Sequence, residues 1–220
     1  MGKLVLVRHG ESRWNLTNQF TGWVDVPLSE KGVRQSVRCG KELSPLNMDI
    51  AFTSTLERAH ETLTLILAYQ KRESVFLHQG KQDARARHPV RAKKDEIPVH
   101  MHSALNERYY GKLQGLNKDA ARKRWGANQV FTWRRSWDTK PPGGESLKDT
   151  YKRAVPYFKK TIMPQVQKSK NVLVSAHGNS LRAIIKYLDA IPDEKIPFLE
   201  VPLAKPVVYE YKNKMLKHMV

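Results

Sequence analysis

Cysteine is all but missing. Cys39 is the only one in 220 residues, so no intrachain disulfide can form, and a reducing, cytoplasmic setting is expected. Acidic residues are few, 21 Asp and Glu against 39 Lys and Arg, for a formal net charge of +18. That imbalance favours anionic ligands. No apolar run approaches the length of a membrane span. The chain passes straight into an apolar strand pattern, without the basic region, apolar stretch and cleavage site of a secretory leader, so secretion is not expected. Zinc-finger, helix-turn-helix and RNA-stacking motifs are lacking too. The surplus cations therefore read as a solvated surface that steers phosphate esters rather than as a nucleic-acid interface. No segment repeats, and the length suits one domain with a substantial core.

Two stretches stand out against this background. Leu4-Val5-Leu6-Val7 is an unbroken β-branched and aliphatic run that ends at Arg8-His9-Gly10. Asn171-Val172-Leu173-Val174-Ser175 is a second, running through Ala176 into His177-Gly178. Such runs predict strands buried on both faces, the kind found in parallel sheets. Open α/β sheets place ligands at the carboxyl ends of their strands. Two such ends can bring two imidazoles to one point. An unprotonated imidazole is a nucleophile toward phosphorus, and an arginine beside it suits bidentate phosphate binding. The residues alone point to phosphoryl transfer through a phosphohistidine.

Between these strands the spacing predicts a helix capped by Ser29 with Val33, Val37 and Leu43 as its apolar stripe. A strand over 49–53 follows, then a helix carrying Ala59, Leu63, Ile66 and Leu67 on one face. Arg58 falls in its first turn, where a cation is out of place unless an anion answers it. The span 70–97 reads as an exposed basic loop insertion, with eight Lys or Arg between Lys71 and Lys94 against two acids. Polyanion contact through this loop is one use for it. Ile97–Met101 reads as a short strand. His78, His88, His100 and His102 lack the spacing and acidic or thiolate company of a metal site. Residues 117–125 read as a basic helix. The span 145–163 reads as a helix interrupted at Pro156. A helix over 180–188 and a closing hairpin of 207–211 and 215–219 complete the pattern. The expected architecture is a single-domain α/β three-layer sandwich over 1–220, mainly parallel sheet with helices on both faces.

Arg8-His9-Gly10-Glu11-Ser12-Arg13-Trp14-Asn15 followed by Phe20-Thr21-Gly22-Trp23 resembles the signature of the cofactor-dependent phosphoglycerate mutases of the histidine phosphatase superfamily. The resemblance continues in the same order through Arg58-Ala59, Asn106-Glu107-Arg108-Tyr109-Tyr110-Gly111, Asn117-Lys118, Trp133-Arg134-Arg135-Ser136, Gly144-Glu145-Ser146-Leu147 and Ser175-Ala176-His177-Gly178-Asn179. It implies interconversion of 3-phosphoglycerate and 2-phosphoglycerate in glycolysis and gluconeogenesis. It also implies 2,3-bisphosphoglycerate as priming phosphoryl donor, no metal, and a homo-oligomer, dimer or tetramer. His9 would be the nucleophile, with Arg8, Arg58 and His177 holding the transferring oxygens. Glu107 would accept the proton, with Glu11 the alternative. Ser12, Asn15, Thr21, Gly22, Arg108, Tyr109, Tyr110, Lys118, Arg134, Arg135, Gly178 and Asn179 would complete the substrate site. Two rivals carry different expectations. A histidine phosphatase would pass the phosphoryl group to water, and an inactive scaffold would use the basic loop to bind polyanions.

Overall fold

The structure, a computed structural model, describes residues 1–77 and 91–219. Among the described residues, seven strands form one sheet in the order β3-β4-β2-β5-β1-β6-β7. They are β1 (Lys3–Arg8), β2 (Ile50–Thr53), β3 (Ser74–Leu77), β4 (Ile97–Met101), β5 (Val172–Ala176), β6 (Pro206–Lys212) and β7 (Met215–His218). The five strands from β3 to β1 run parallel, while β6 and β7 add an antiparallel edge. The mainly parallel α/β sandwich expected from the sequence is the architecture found.

Alternation along the central strands explains the two layers of helices, because successive side chains in a strand leave opposite faces. Leu4, Leu6, Phe52, Val172 and Val174 pack on one face with Ala154, Phe158, Ile162, Leu181 and Ile184. Val5, Val7, Ala51 and Leu173 pack on the other with Cys39, Leu43, Leu63 and Ile66. All these side chains are buried, each large aliphatic one contributing about 1.5–3 kcal/mol by leaving water. A smaller cluster of Phe20, Leu113, Ala121 and Val130 lies beneath α4 (Lys118–Trp125) and α5 (Ala127–Arg135).

The helix after Ser29, α2 (Glu30–Leu43), begins as expected: the Ser29 side chain accepts the Gly32 N–H at 3.1 Å. Its buried face differs from the expected stripe. Gly32, Ser36, Cys39, Gly40 and Leu43 face inward, while Val33 is exposed. The cause is close packing: a Cβ on Gly32 would lie 2.0 Å from the Glu11 carbonyl oxygen, so only small residues fit there. In the basic span, 74–77 is not loop but the edge strand β3, pairing with β4 from Ser74↔Ile97 to Leu77↔His100. The rest of the basic-loop reading, and with it His78 and His88, lies largely outside the described residues. Pro156 sits inside α6 (Leu147–Tyr157), which runs on through a π-helical turn, Phe158–Ile162, into α7 (Met163–Gln167). A proline cannot donate to the preceding turn, and a π turn directly after it absorbs the irregularity. The terminal hairpin turns through Asn213 and Lys214, both at positive φ, the geometry that matches strand twist.

Candidate active site

Adjacent parallel pairing of β1 and β5, with Arg8 opposite Ala176, makes both strands end at the same edge of the sheet. His9 and His177 follow immediately, with ring centroids 5.0 Å apart. His9 Nδ1 lies 2.7 Å from the Gly10 carbonyl oxygen, which can only accept, so the ring proton sits on Nδ1 and Nε2 keeps its lone pair. Burial, then Arg58 and Arg8, hold His9 well below its ordinary value. The ring is neutral at pH 7 and nucleophilic at Nε2.

His177 opens α8 (Gly178–Leu188) and is likewise held low by burial and by Arg58. Its Nε2 lies 2.8 Å from Ser54 Oγ, and that oxygen already accepts the Leu56 N–H. Ser54 Oγ and His177 Nε2 share one hydrogen bond, which fixes the ring's orientation. Nδ1 is buried with no partner among the described residues. The amino end of α8 adds its dipole, which favours anions.

His9 lines a cavity of about 180 Å³ together with Arg8, Asn15, Thr21, Gly22, Arg58, Glu107, Tyr110, Lys118, Arg134, Arg135, Gly178 and Asn179, while the His177 ring itself is not part of the lining. Arg58, in the first turn of α3 (Glu57–Leu67), is fully buried and donates to the carbonyls of Gly22 at 2.8 Å and Val24 at 3.0 Å. Burial pulls it down to about 10. Arg8 donates to Val201 O at 3.0 Å. The Nε groups of both arginines are buried without partners among the described residues. Two buried cations with unspent donors in one cavity lining are an arrangement that an anion completes. Asn15 Oδ1 accepts from Ser12 N and Oγ, which leaves its NH2 to donate toward the cavity it lines.

Glu107 is the carboxylate among these cations. Its Oε1 is filled by the N–H of Arg108 at 2.7 Å, the N–H of Asn179 at 3.1 Å and the Asn179 side-chain amide at 2.9 Å. Among the described residues Oε2 receives no hydrogen bond, and it lies beside Gly178 with the Arg8 guanidinium. One oxygen is fixed and the other is free to take a proton. Gly22 is constrained by its conformation: φ is +58°, and a Cβ there would stand 2.2 Å from Gln114 Oε1.

Four residues considered from the sequence stand elsewhere. Ser12 caps α1 (Arg13–Leu16). Arg108 is buried behind the wall, donating to Tyr110 Oη and Arg134 O. Tyr109 packs edge-on against Trp23 and does not line the cavity. Glu11 faces α2, bonded to Ser29 Oγ at 2.9 Å and Lys31 Nζ at 3.2 Å, which removes it as the alternative proton acceptor. Conversely, sequence reasoning passed over Gln19, Phe20, Arg182, Glu200 and Val201, all in the lining, and Ser54 behind His177. Glu200 forms an ion pair with Arg135. Arg182 and Ser54 stand inside quoted motifs or beside them, and those motifs were the one signal available.

Fold and site together define a protein built to hold phosphate esters. The profile of the histidine phosphatase superfamily (branch 1) matches residues 4–80 and 83–218. A 2,3-bisphosphoglycerate-dependent phosphoglycerate mutase of Methanosarcina acetivorans is 46% identical over 233 residues, covering 98% of this chain and 94% of its own. The Methanococcus vannielii protein of the same name is 47% identical, over 100% of this chain and 94% of its own. That of Chlamydia pneumoniae is 45% identical, over 99% and 98%. Among solved structures, a mycobacterial glucosyl-3-phosphoglycerate phosphatase superposes with a TM-score of 0.78 at 23% identity, over 100% of this chain and 98% of its own, a likeness of fold. The chain belongs to the histidine phosphatase superfamily, branch 1, and within it to the family of the 2,3-bisphosphoglycerate-dependent phosphoglycerate mutases.

Proposed function

We propose that the protein interconverts 3-phosphoglycerate and 2-phosphoglycerate through a phosphohistidine on His9. The observation that carries this reading is the bare Nε2 of His9 in a cavity lined by arginines and one carboxylate with a free oxygen, with the His177 ring 5.0 Å from its own. When His9 Nε2 bonds to phosphorus the P–O ester bond breaks, and Glu107 Oε2 returns to the departing oxygen the proton it took in the opposite step. In the reverse direction phospho-His9 passes its group to a hydroxyl of the bound acid, and Glu107 takes that hydroxyl's proton. Arg8, Arg58, Asn15 and His177 hold the equatorial oxygens, where charge-assisted bonds count most in the transition state. That positive charge serves the part a metal ion plays elsewhere, so the reading invokes none.

Lys118, Arg134, Tyr110 and Arg135 line the same cavity. They supply what a mutase needs beyond a phosphatase, a grip on the carboxylate and second phosphate while the substrate turns. 2,3-Bisphosphoglycerate, bound on these same residues, supplies the phosphoryl group that first loads His9. Its two phosphates and carboxylate suit a cavity with unspent arginine donors. We place the enzyme in the cytoplasm as a homo-oligomer, in keeping with the single buried Cys39 and the family resemblance.

The test is turnover of 3-phosphoglycerate with and without 2,3-bisphosphoglycerate. His9→Ala is expected to lose at least about a thousandfold in kcat. Release of inorganic phosphate with no 2-phosphoglycerate formed would replace the mutase reading with the phosphatase one.

A further inference from the structure

The motif Gly144-Glu145-Ser146 plays no part in the mechanism above, and Glu145 does not line the cavity. Its partner is Arg153, one turn and more along α6. Arg153 Nε donates to Glu145 Oε1 at 3.1 Å, and Nη2 donates to Oε2 at 2.9 Å, a bidentate pair. The same guanidinium donates to the backbone carbonyls of Ala104 at 3.0 Å, Asn106 at 2.9 Å and Glu107 at 2.9 Å. Glu145 in turn accepts the Tyr109 N–H at 3.0 Å and donates its own N–H to the Tyr109 carbonyl at 2.8 Å.

Among the described residues, the segment that carries Glu107 belongs to no strand or long helix and lies between two 3₁₀ turns, Ser103–Leu105 and Gly111–Leu113. Its buried carbonyls need donors from elsewhere, and a planar guanidinium offers five in a fixed fork. The Glu107 carbonyl also accepts Trp23 Nε1 at 2.5 Å, and the Trp23 ring lies 5.6 Å from Arg153 Cζ. Trp23 follows Gly22, whose carbonyl holds Arg58. One guanidinium therefore joins the Glu107 segment to the loop that seats a phosphate-facing arginine.

We propose that Arg153, oriented by Glu145, is a positioning residue that sets the place of the Glu107 carboxylate against His9. This rests on the reading of Glu107 as the proton acceptor and donor. Arg153 touches no reacting group, so its loss should leave substrate binding largely in place and slow the chemistry.

The experiment compares Arg153→Ala, Arg153→Lys, Glu145→Gln and Glu107→Gln in the mutase assay with 2,3-bisphosphoglycerate present, with circular dichroism and Tm for each. Arg153→Ala is expected to lose about 100-fold in kcat, the scale of an ångström's misplacement, with KM changed by less than about threefold. Arg153→Lys keeps the charge without the fork and should stay impaired. Low millimolar guanidinium should restore part of the Arg153→Ala turnover and none of the Glu107→Gln turnover. Should Arg153→Ala fail to fold, Glu145→Gln carries the test, with a smaller kcat loss at unchanged KM. Wild-type kcat in the folded Arg153 or Glu145 variants, or an equal rise in KM with no rescue, overturns the positioning role. Wild-type kcat in Glu107→Gln instead overturns the reading of Glu107, and the two failures are thereby told apart.

Discussion

Lys118 lines the cavity, and burial, then the nearby Arg134 charge, pull its ammonium down to about 8. It is therefore charged at neutral pH and loses that charge as the pH climbs past 8, where an anionic substrate is held less well. KM for 3-phosphoglycerate is expected to rise above pH 8, and Lys118→Arg, which keeps its charge, should flatten that rise in a KM–pH profile. Glu200 sits in the same lining and occupies Arg135. Glu200→Gln frees that guanidinium and removes a like charge from an anion site, so KM should fall by a few fold, about 0.5–1 kcal/mol in binding. The two histidines bear on stability. Their folded pKa values lie below the ordinary 6.5, so below pH 6.5 the unfolded chain takes up protons that the folded one refuses. Stability is complete above that pH and falls as pH drops, by up to about 1.4 kcal/mol per pH unit for each ring. Denaturant titrations of wild type and His9→Ala between pH 6.5 and 5 should differ in slope by about that amount, and equal slopes would refute the neutral, buried His9. Legibility at this scale followed sequence locality. His9 and His177 were readable because each ends an apolar run. Ser54, Arg182 and Glu200 were not, because their roles come from partners 123, 47 and 65 positions away.

Elements deliver these residues, and their ends matter more than their middles. β1 and β5 present His9 and His177 side by side only because they are neighbours in the sheet, a fact of topology that two separate apolar runs do not reveal. α2 shows the limit of periodicity from the other side. Val33 and Val37 have helical spacing, yet the helix packs through Gly32, Ser36 and Gly40, because backbone there approaches backbone. β3 escaped notice among basic residues, as one short edge strand whose side chains are all half-buried. Ser29 both caps α2 and donates to Glu11. Ser29→Ala is expected to cost about 1 kcal/mol in chemical denaturation while kcat stays unchanged, since neither partner lines the cavity. A drop in kcat with no loss of stability would contradict that separation of capping from catalysis.

For the whole molecule, the formal charge of +18 acts on every anionic substrate that approaches. Long-range attraction of this kind is screened over about 8 Å at physiological ionic strength, so kcat/KM should fall as salt rises while kcat changes little. The sheet, its two helical layers and the order of the landmarks were legible because they depend on hydrophobic pattern over many residues. The further connections that seat Glu107 were not, since Arg153 reaches back nearly fifty positions to bare carbonyls. The central claim is that a phosphoryl group rides on His9 between two oxygens of one acid. Its most direct test is to mix the protein with 2,3-bisphosphoglycerate labelled in its phosphate groups and isolate the acid-labile, base-stable label on the chain. A stoichiometric label on His9 that chases into 2-phosphoglycerate and bisphosphate on adding 3-phosphoglycerate is the predicted result. No label on His9, with isomerisation proceeding all the same, would contradict the account.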